Sequence, residues 1–174
     1  MFHLNVSPPY LLSALLLALG LFTGATFASD IGNTTALPIP RFVSIKAAPA
    51  NVRAGPGIDY PLKWTFVRRA LPVEIVAEFG NWRRIRDWEG KQGWVFGPLL
   101  SGIRTALVAP WSGAKSVSLR SDTATDAPVV AIMQPTVLVR IIRCDGKWCK
   151  VKAGTRQGYV RQTKLWGAYP GEVL

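Results

Sequence analysis

Apolar and polar residues alternate along most of the chain with the two-residue period of half-buried β-strands. Runs of β-branched and aromatic residues are separated by Gly, Pro, Asn and Asp, and no stretch keeps a helical period for three turns. The pattern therefore predicts an all-β protein. The clearest predicted strands are residues 71–78, 82–87, 93–96, 136–143, 148–153 and 158–161.

These strands belong to two copies of one unit. The spacing between equivalent residues falls from 67 (Arg53 to Arg120) through 66 (Trp82 to Trp148) to 65 (Val95 to Val160), so two single-residue gaps align the copies. The boundary lies near residues 102–105. Units of about sixty residues with this pattern suit small barrels, because closure hides sheet edges. The segments NVR, DYPL, GNWRRI and QGWV of the first copy return in order as SLR, DAPV, GKWCKV and QGYV.

The motifs NVRAGPG, LPVE, GNWRRI and GWV resemble those of the bacterial SH3-like (SH3b) domains, especially the tandem exported SH3-like proteins of Gram-negative bacteria. The resemblance covers nearly all of residues 42–167 and implies two tandem SH3-like β-barrels, at residues 42–102 and 103–174. The second copy departs at its start, where SLRSDTATDAP replaces NVRAGPGIDYP. The resemblance also implies that the tryptophan after the central turn, Trp82 or Trp148, lies in a peptide groove.

The amino terminus has the pattern of a secretory signal peptide. Residues 1–29 contain no Asp, Glu, Lys or Arg, and an apolar run at 11–22 precedes small residues that suit cleavage after Ala28. The alternative is an uncleaved anchor, but this apolar run is shorter than the ~20 residues of a spanning helix. We therefore predict a signal peptide at 1–28, a flexible leader at 29–41 and a periplasmic or otherwise exported protein without membrane insertion after cleavage.

The predicted mature chain carries all of the formal charge of +11, spread over both copies. A strongly basic exported protein is expected to meet polyanions or anionic surfaces, which outside the cytoplasm means cell wall or envelope lipid. No specific nucleic-acid partner is predicted, and the sequence does not indicate an oligomeric state.

Cys144 and Cys149 are the only cysteines, and in an exported chain they favour a disulfide. They flank a turn and align with Glu78 and Arg83 of the first copy. If the two cysteines lie opposite each other on paired strands, they are within disulfide reach. Metal binding and a redox pair are the alternatives, but the mature chain has no histidine to complete a metal site and the spacing is longer than Cys-x-x-Cys. A Glu78–Arg83 ion pair would replace the disulfide in the first copy.

Alternation along residues 148–153 predicts that Cys149, Val151 and Ala153 face inward. Trp148, Lys150 and Lys152 are then expected to face outward, and by register Trp82, Arg84 and Arg86 share the outer face of the first copy. Aromatic rings beside cations suit recognition of carboxylates or phosphates. Burial of both tryptophans between the barrels, or under the first loop, remains the alternative. Tyr60, Trp64 and Trp88 are further surface candidates, and Trp94 and Tyr159 are assigned to the core. Gly55 and Gly57 are expected to give their loop backbone angles that other residues avoid. The predicted ligand-binding side chains are Trp82, Arg84, Arg86, Tyr60, Trp148, Lys150 and Lys152.

No catalytic residue, cofactor or metal site is predicted. The one histidine, His3, lies in the predicted signal peptide, which removes Ser-His and Cys-His arrangements from the mature chain. Acids of the first copy, such as Glu74 and Glu78, have no acidic counterparts in the second. Both are expected on one solvent-facing side of a strand.

Three functions remain open from the sequence. The first is a non-enzymatic module that binds peptidoglycan peptide or another envelope component through an aromatic and basic groove. The second is an adaptor that binds a segment of another envelope protein. The third is a general polyanion binder whose affinity falls steeply with salt. Of these, the first is the function that the sequence favours.

Overall fold

A computed structural model describes residues 30–111 and 113–174 of the chain. The predicted signal peptide at 1–28 lies outside the described residues. Within the described ranges, no helix is long and apolar enough to cross a membrane.

Sixteen short strands and two 3-10 turns form the described part of the chain, which contains no α-helix. The 3-10 turns lie at Gly97–Leu99 and Gln162–Lys164. The strands are β1 Asp30–Ile31, β2 Pro38–Ile39, β3 Arg41–Ile45, β4 Ala50–Arg53, β5 Leu62–Phe66, β6 Pro72–Phe79, β7 Trp82–Arg86, β8 Gln92–Phe96, β9 Leu100–Ser101, β10 Thr105–Val108, β11 Val117–Arg120, β12 Val129–Met133, β13 Leu138–Cys144, β14 Trp148–Ala153, β15 Arg156–Arg161 and β16 Leu165–Trp166.

The strands of the two copies form two separate sheets with the same order. The described part of the first copy pairs as β5-β4-β8-β7-β6-β3-β9, and that of the second pairs as β12-β11-β15-β14-β13-β10-β16. Every pairing within these sheets is antiparallel. The prediction of an all-β fold with two tandem units is therefore confirmed, and all six predicted strands begin and end within two residues of their observed bounds.

Each sheet encloses its own apolar core. In the first unit Val52, Val73, Ile85 and Val95 are fully buried, and in the second Leu119, Val139, Val151 and Val160 are their counterparts in the sheet order. These positions point inward because side chains alternate along each strand. The repeat in the sequence is thus a repeat of the core.

The two cysteines form a disulfide on the core side of the second unit. Cys144 on β13 lies directly opposite Cys149 on β14, with their Cα atoms 4.1 Å apart, and both side chains are buried. Asp145 and Trp148 continue the hairpin, so Gly146 and Lys147 form its tip. The predicted disulfide is confirmed.

Part of the segment predicted to be a flexible leader is ordered against the first unit. β1 pairs with β2 in a small hairpin, and the loop between them is bonded to the carboxylate of Glu78 on β6. That carboxylate accepts hydrogen bonds from the Thr35 hydroxyl at 2.7 Å, the Thr34 and Thr35 amides and the Arg41 guanidinium at 2.6 Å. A buried carboxylate needs such partners, and they tie the hairpin to the sheet.

The expectation that Glu74 and Glu78 share one exposed face is wrong. A β-bulge on β6, between Ile75 and Ala77, shifts the register so that Glu74 pairs with Arg86 and Glu78 pairs with Arg83. The two carboxylates therefore lie on opposite faces, and both are buried. The expected Glu78–Arg83 ion pair is present at 3.4 Å, but it is buried and Arg41 is the closer partner.

The second unit covers Glu74. The Tyr169 hydroxyl donates a hydrogen bond to Glu74 Oε1 at 2.8 Å, and Arg86 Nε donates to Glu74 Oε2 at 2.7 Å. The Phe42 ring lies 4.7 Å from the Tyr169 ring and 5.0 Å from the Trp166 ring, measured between centroids. Burial, and then the bond to Glu74, raise the pKa of Tyr169 far above its ordinary value. The residues that follow β16 thus fasten the two units together.

The Arg104 side chain fixes this carboxyl-terminal segment. Its guanidinium bonds Glu172 through both carboxylate oxygens, at 2.7 and 2.9 Å, and the carbonyl of Gly167 at 2.7 Å. Burial alone would raise the pKa of Glu172, but the Arg104 bonds and the Tyr169 amide hold it below its usual value. The segment also pairs with the disulfide hairpin, because the amide and carbonyl of Leu174 bond those of Cys144.

We predict that Glu78 makes stability depend on pH in the acid range. Burial raises its pKa, but the bonds from Arg41, Thr35 and Thr34 outweigh burial and lower it from 4.5 to about 2. Because the folded-state pKa is the lower one, the ionised group stabilises the fold above pH 4.5, and this contribution is lost as the pH falls toward 2. Glu78→Gln should cost about 1–3 kcal/mol near neutral pH and flatten the dependence between these values. Urea unfolding at several pH values measures both effects.

The control for this prediction is Glu89→Gln, which removes an exposed carboxylate paired with Lys91. It should leave the unfolding midpoint nearly unchanged at neutral pH. An equal effect of the two substitutions would contradict the assigned role of Glu78.

We also predict that the Tyr169 hydroxyl stabilises the docking of the two units. Tyr169→Phe keeps the ring contact with Phe42 but leaves a buried oxygen of Glu74 without that donor, so it should cost about 1 kcal/mol. Tyr60→Phe, at a half-exposed ring, is the matched control and should change stability by less than about 0.5 kcal/mol. Thermal unfolding of both variants measures the difference, and equal midpoints would refute the prediction.

Candidate functional site

In the first unit, aromatic and basic side chains alternate across the outer face of β7 and β8. Trp82 lies opposite Phe96, with ring centroids 5.7 Å apart at 60°, and Arg84 lies opposite Trp94. Arg53, on the next strand, pairs with Trp94 from the other side. Val95 and Ile85 occupy the inner face of these strands, so the burial of the core fixes the outward direction of this row.

The second unit repeats the row with more cations. Trp148 lies opposite Arg161, whose guanidinium carbon is 4.3 Å from the ring centroid. Lys150 lies opposite Tyr159, its ammonium 5.8 Å from that ring. The Tyr159 hydroxyl accepts a hydrogen bond from Arg143 at 3.0 Å, and Arg120 pairs with Tyr159 from β11.

A groove lies at the same end of this row in both units. We call them the first groove, of about 510 Å³, and the second groove, of about 560 Å³. Six lining positions are equivalent in the repeat. They are Asn51, Arg53, Ile58, Trp82, Phe96 and Leu99 in the first groove, and Ser118, Arg120, Thr125, Trp148, Arg161 and Lys164 in the second.

An arginine shapes the wall loop of each groove in the same way. Arg53 donates a hydrogen bond to the carbonyl of Tyr60 at 2.9 Å, and Arg120 donates to the carbonyl of Ala127 at 2.7 Å. Both bonds span the loop that follows the arginine's own strand. Although the loop sequence differs between the copies, the arginine that closes it is common to both.

Gly55 is needed in the first loop for space. A Cβ built on Gly55 would lie 2.3–2.6 Å from three atoms of the Tyr60 ring. Gly55 and Gly57 both lie outside the positive-φ region, so the expected reason for these glycines, unusual backbone angles, is wrong. Tyr60 itself is half-exposed and packs against this loop.

Of the seven predicted ligand-binding residues, Trp82 lines the first groove and Trp148 lines the second. Trp82, Arg84, Lys150 and Lys152 lie on the outer faces, as alternation predicts. Arg86 lies on the same face as Trp82, but its charge is paired with Glu74 at the docking of the two units.

Trp148 differs from the expectation of an exposed ring. It points away from the core, but the residue is only 7% exposed, and the Arg161 guanidinium lies over its ring. Its position at the start of β14 is fixed by Asp145, whose carboxylate accepts hydrogen bonds from the Trp148 amide at 2.7 Å and the Lys147 amide at 2.8 Å. These bonds lower the pKa of Asp145.

Sequence reasoning missed several residues of the site and assigned two to the wrong face. Trp94 and Tyr159, expected in the core, are outward and half-buried, because Val95 and Val160 beside them take the inward positions. The alternation within GWV and GYV carries this signal. Other residues of the row or grooves that were not singled out are Arg53, Phe96, Arg120 and Arg161.

Three acids of the first unit are held by structural contacts. Glu74 and Glu78 are buried in the bonds described above, and the Asp87 carboxylate accepts hydrogen bonds from the Glu89 and Lys91 amides of its own turn. Burial of Asp87 outweighs these bonds and raises its pKa. Among the residues that the structure describes, no three His, Cys, Asp or Glu side chains are grouped to hold a metal ion.

The chain is a small β-domain protein. It consists of two β-units in tandem, and each unit carries an aromatic groove on its outer face. The chain belongs to the bacterial SH3 domain family, whose model matches residues 46–102 and 113–167. Domains of this family commonly bind cell-wall components and occur in exported cell-wall proteins.

A curated relative is similar over most of this chain. The protein named "Putative N-acetylmuramoyl-L-alanine amidase YrvJ", from Bacillus subtilis (strain 168), is 27% identical over 143 residues, which covers 73% of this chain and 27% of the relative. The chain thus spans about a quarter of that relative's length.

Solved structures with a weaker likeness are NlpC2 and NlpC1 from Trichomonas vaginalis. Their TM-scores are 0.33 and 0.31, each with 12% identity. The similarity covers 75% and 78% of this chain, and about half of each of those two chains.

We predict that Gly55→Ala distorts the wall of the first groove. The added methyl group would overlap the Tyr60 ring, which should cost about 1–3 kcal/mol of stability. The double variant Gly55→Ala, Tyr60→Ala should recover part of the loss, because the clashing ring is gone. A double-mutant cycle by urea unfolding measures the coupling, and strictly additive effects would contradict the steric explanation.

Proposed function

We propose that the chain is a non-enzymatic, exported module that binds peptidoglycan peptide, with the row of aromatic and basic side chains and the two grooves as its binding surface. The observation that carries this proposal is the recurrence of one groove at equivalent positions of both units. Its tryptophan and closing arginine are retained, although the loop sequence and other lining residues have changed.

The chemistry of the row suits a peptide ligand. Half-buried rings such as Trp82 and Trp94 offer flat apolar area at low entropic cost, and neighbouring cations such as Arg84 can pair with carboxylates. A groove of about 510 Å³ has room for a few residues of an extended chain. The binding surface lies on sheet strands whose inner faces are packed, so it is rigid before a ligand arrives.

The comparisons support a cell-wall ligand. The family commonly binds cell-wall components, and the name of the Bacillus subtilis relative describes an enzyme that acts on a muramoyl-alanine bond. The similar part amounts to about a quarter of that relative. We infer that the shared part is the region that attaches such a protein to its substrate.

The positions of Glu74, Glu78 and Asp87 support a role without catalysis. Glu74 and Glu78 each serve a structural contact, and Asp87 organises a turn. Export of the chain, with a signal peptide cleaved after Ala28, is part of the proposal and rests on the sequence of residues 1–28.

An envelope adaptor is the second candidate, favoured by the outer strands of the two sheets. β5 and β12 are edge strands, and they expose Leu62, Val129 and Ile132 to solvent. An exposed edge can add an extended segment of another protein as a further strand. This candidate predicts one co-purifying protein and little affinity for the wall.

The test is co-sedimentation of the purified protein with peptidoglycan at low and high salt. Trp82→Ala removes the central ring of the first groove and should reduce the bound fraction at least about fivefold at both salt concentrations, since ring contacts are little screened by salt. Trp88, a further candidate from the sequence, is half-exposed on the turn after β7 and does not line the first groove. Trp88→Ala is therefore the matched control and should bind like the unmodified protein.

Circular dichroism and thermal unfolding verify that both variants are folded. Binding that is abolished by salt and indifferent to Trp82 would refute the proposal in favour of a general polyanion binder. Absence of binding, with capture of one envelope protein through the edge strands, would favour the adaptor.

A further inference from the structure

The two grooves differ in charge although they occupy the same place in the fold. The first groove is lined by one cation, Arg53, and one acid, Asp59. The second groove is lined by Arg120, Arg161, Lys164 and Lys115, and the described residues that line it include no Asp or Glu. The acid equivalent to Asp59 is Asp126, which does not line the second groove. The second groove is therefore a concave surface of one sign.

Two substitutions in the repeat account for much of this difference. Arg161 stands where the first unit has Phe96, and Lys164 stands where it has Leu99. In the first unit Phe96 packs edge-on against Trp82 and completes an apolar surface. In the second unit the equivalent residue, Arg161, places a cation beside Trp148. The change alters the ligand chemistry while the strands and loops keep their positions.

The stacking of Arg161 on Trp148 leaves its donors available. A guanidinium carries its N–H donors in its own plane, so a ring on one face fixes that plane without occupying them. Among the residues that the structure describes, none accepts a hydrogen bond from the Arg161 or Lys164 side chains, whereas Arg120 donates to the carbonyl of Ala127. Arg161 thus lies over a ring, lines the groove and keeps its donors for a ligand.

The size and lining of the groove indicate more than a single small ion. Its volume is about 560 Å³, and it is lined by the half-exposed ring of Trp111 and by the hydroxyls of Ser116 and Ser118. A lone anion would leave this apolar and hydrogen-bonding surface unfilled. A peptide that carries a carboxylate would contact the cations, the ring and the hydroxyls. Its carboxylate suits the cations, because an Arg fork and a nearby Lys match a planar carboxylate.

We propose that the second groove binds a peptide through a free carboxylate, with Arg161 and Lys164 as the specificity-determining residues, while the first groove takes an uncharged segment. This inference rests on the proposed function and names the ligand chemistry of one of its two grooves. Four cations around one groove repel one another, and a bound carboxylate removes part of that repulsion, so binding should weaken when the carboxylate is neutralised.

The test uses two synthetic probes, the tetrapeptide Ala-γ-Glu-Lys-Ala with free carboxylates and the same peptide with its carboxylates amidated. Calorimetric titration should show at least tenfold weaker binding of the amidated probe. The double variant Arg161→Phe, Lys164→Leu gives the second groove the side chains of the first. It should weaken binding of the free-carboxylate probe at least tenfold and leave the amidated probe within twofold.

The matched control is the double variant Arg68→Gln, Arg69→Gln. It also removes two positive charges, but at exposed positions of the first unit. It should bind the free-carboxylate probe within twofold of the unmodified protein. An equal loss in both double variants would mean that net charge alone attracts the peptide and would overturn the inference. Equal affinity for the two probes would also overturn it. Tighter binding of a glycerol-phosphate oligomer, lost in the groove variant, would reassign the groove to phosphate.

Co-sedimentation with peptidoglycan separates failure of this inference from failure of the proposed function. Sedimentation that depends on Trp82, together with equal affinity for the two probes, would refute the carboxylate site and leave the wall-binding module intact. If the protein neither sediments with the wall nor binds the free-carboxylate probe, both proposals are overturned.

Discussion

The pleat of the central strands is the constraint on which both the cores and the grooves depend. Neighbouring side chains on a strand point to opposite faces, so burial of Ile85 and Val95 fixes the outward direction of Trp82, Arg84, and Trp94. The second unit obeys the same rule around Val151 and Val160. A slip of one residue would bring arginines into the core, so the outer face cannot shift without loss of the fold. The grooves therefore lie on the outer face of the same strands whose inner faces form the cores.

The β-bulge on β6 modifies that rule and determines how the parts of the molecule are joined. Because it shifts the register between Ile75 and Ala77, one strand presents Glu74 on one face and Glu78 on the other. Glu78 binds the amino-terminal hairpin, and Glu74 binds Tyr169 of the second unit. Burial of a carboxylate is costly without partners, so each acid stabilises the contact that satisfies it. The second unit has a bulge at the corresponding place on β13, where Cys144 forms the disulfide instead.

The two units show how a duplicated fold can keep a site and change its chemistry. The arginine that closes the wall loop is retained as Arg53 and Arg120, and the central ring as Trp82 and Trp148. These residues shape the groove. The residues beside them, Phe96 and Arg161, also line the grooves, but one is apolar and the other is charged. The covering of Trp148 by a guanidinium, where Trp82 contacts a phenyl ring, follows from that one difference.

The sequence by itself determined the repeat, the all-β class, the strand positions and the pairing of the two cysteines, since each depends on local alternation or on one turn. It also placed Trp82 and Arg84 on a common face. Only the tertiary structure decided the burial of Glu74 and Glu78, the order of the amino-terminal hairpin, and the covering of Trp148. These features depend on a bulge, on docking of a neighbouring segment and on a facing strand. Each of them involves residues that are distant in the chain, so no local sequence pattern predicts the contact.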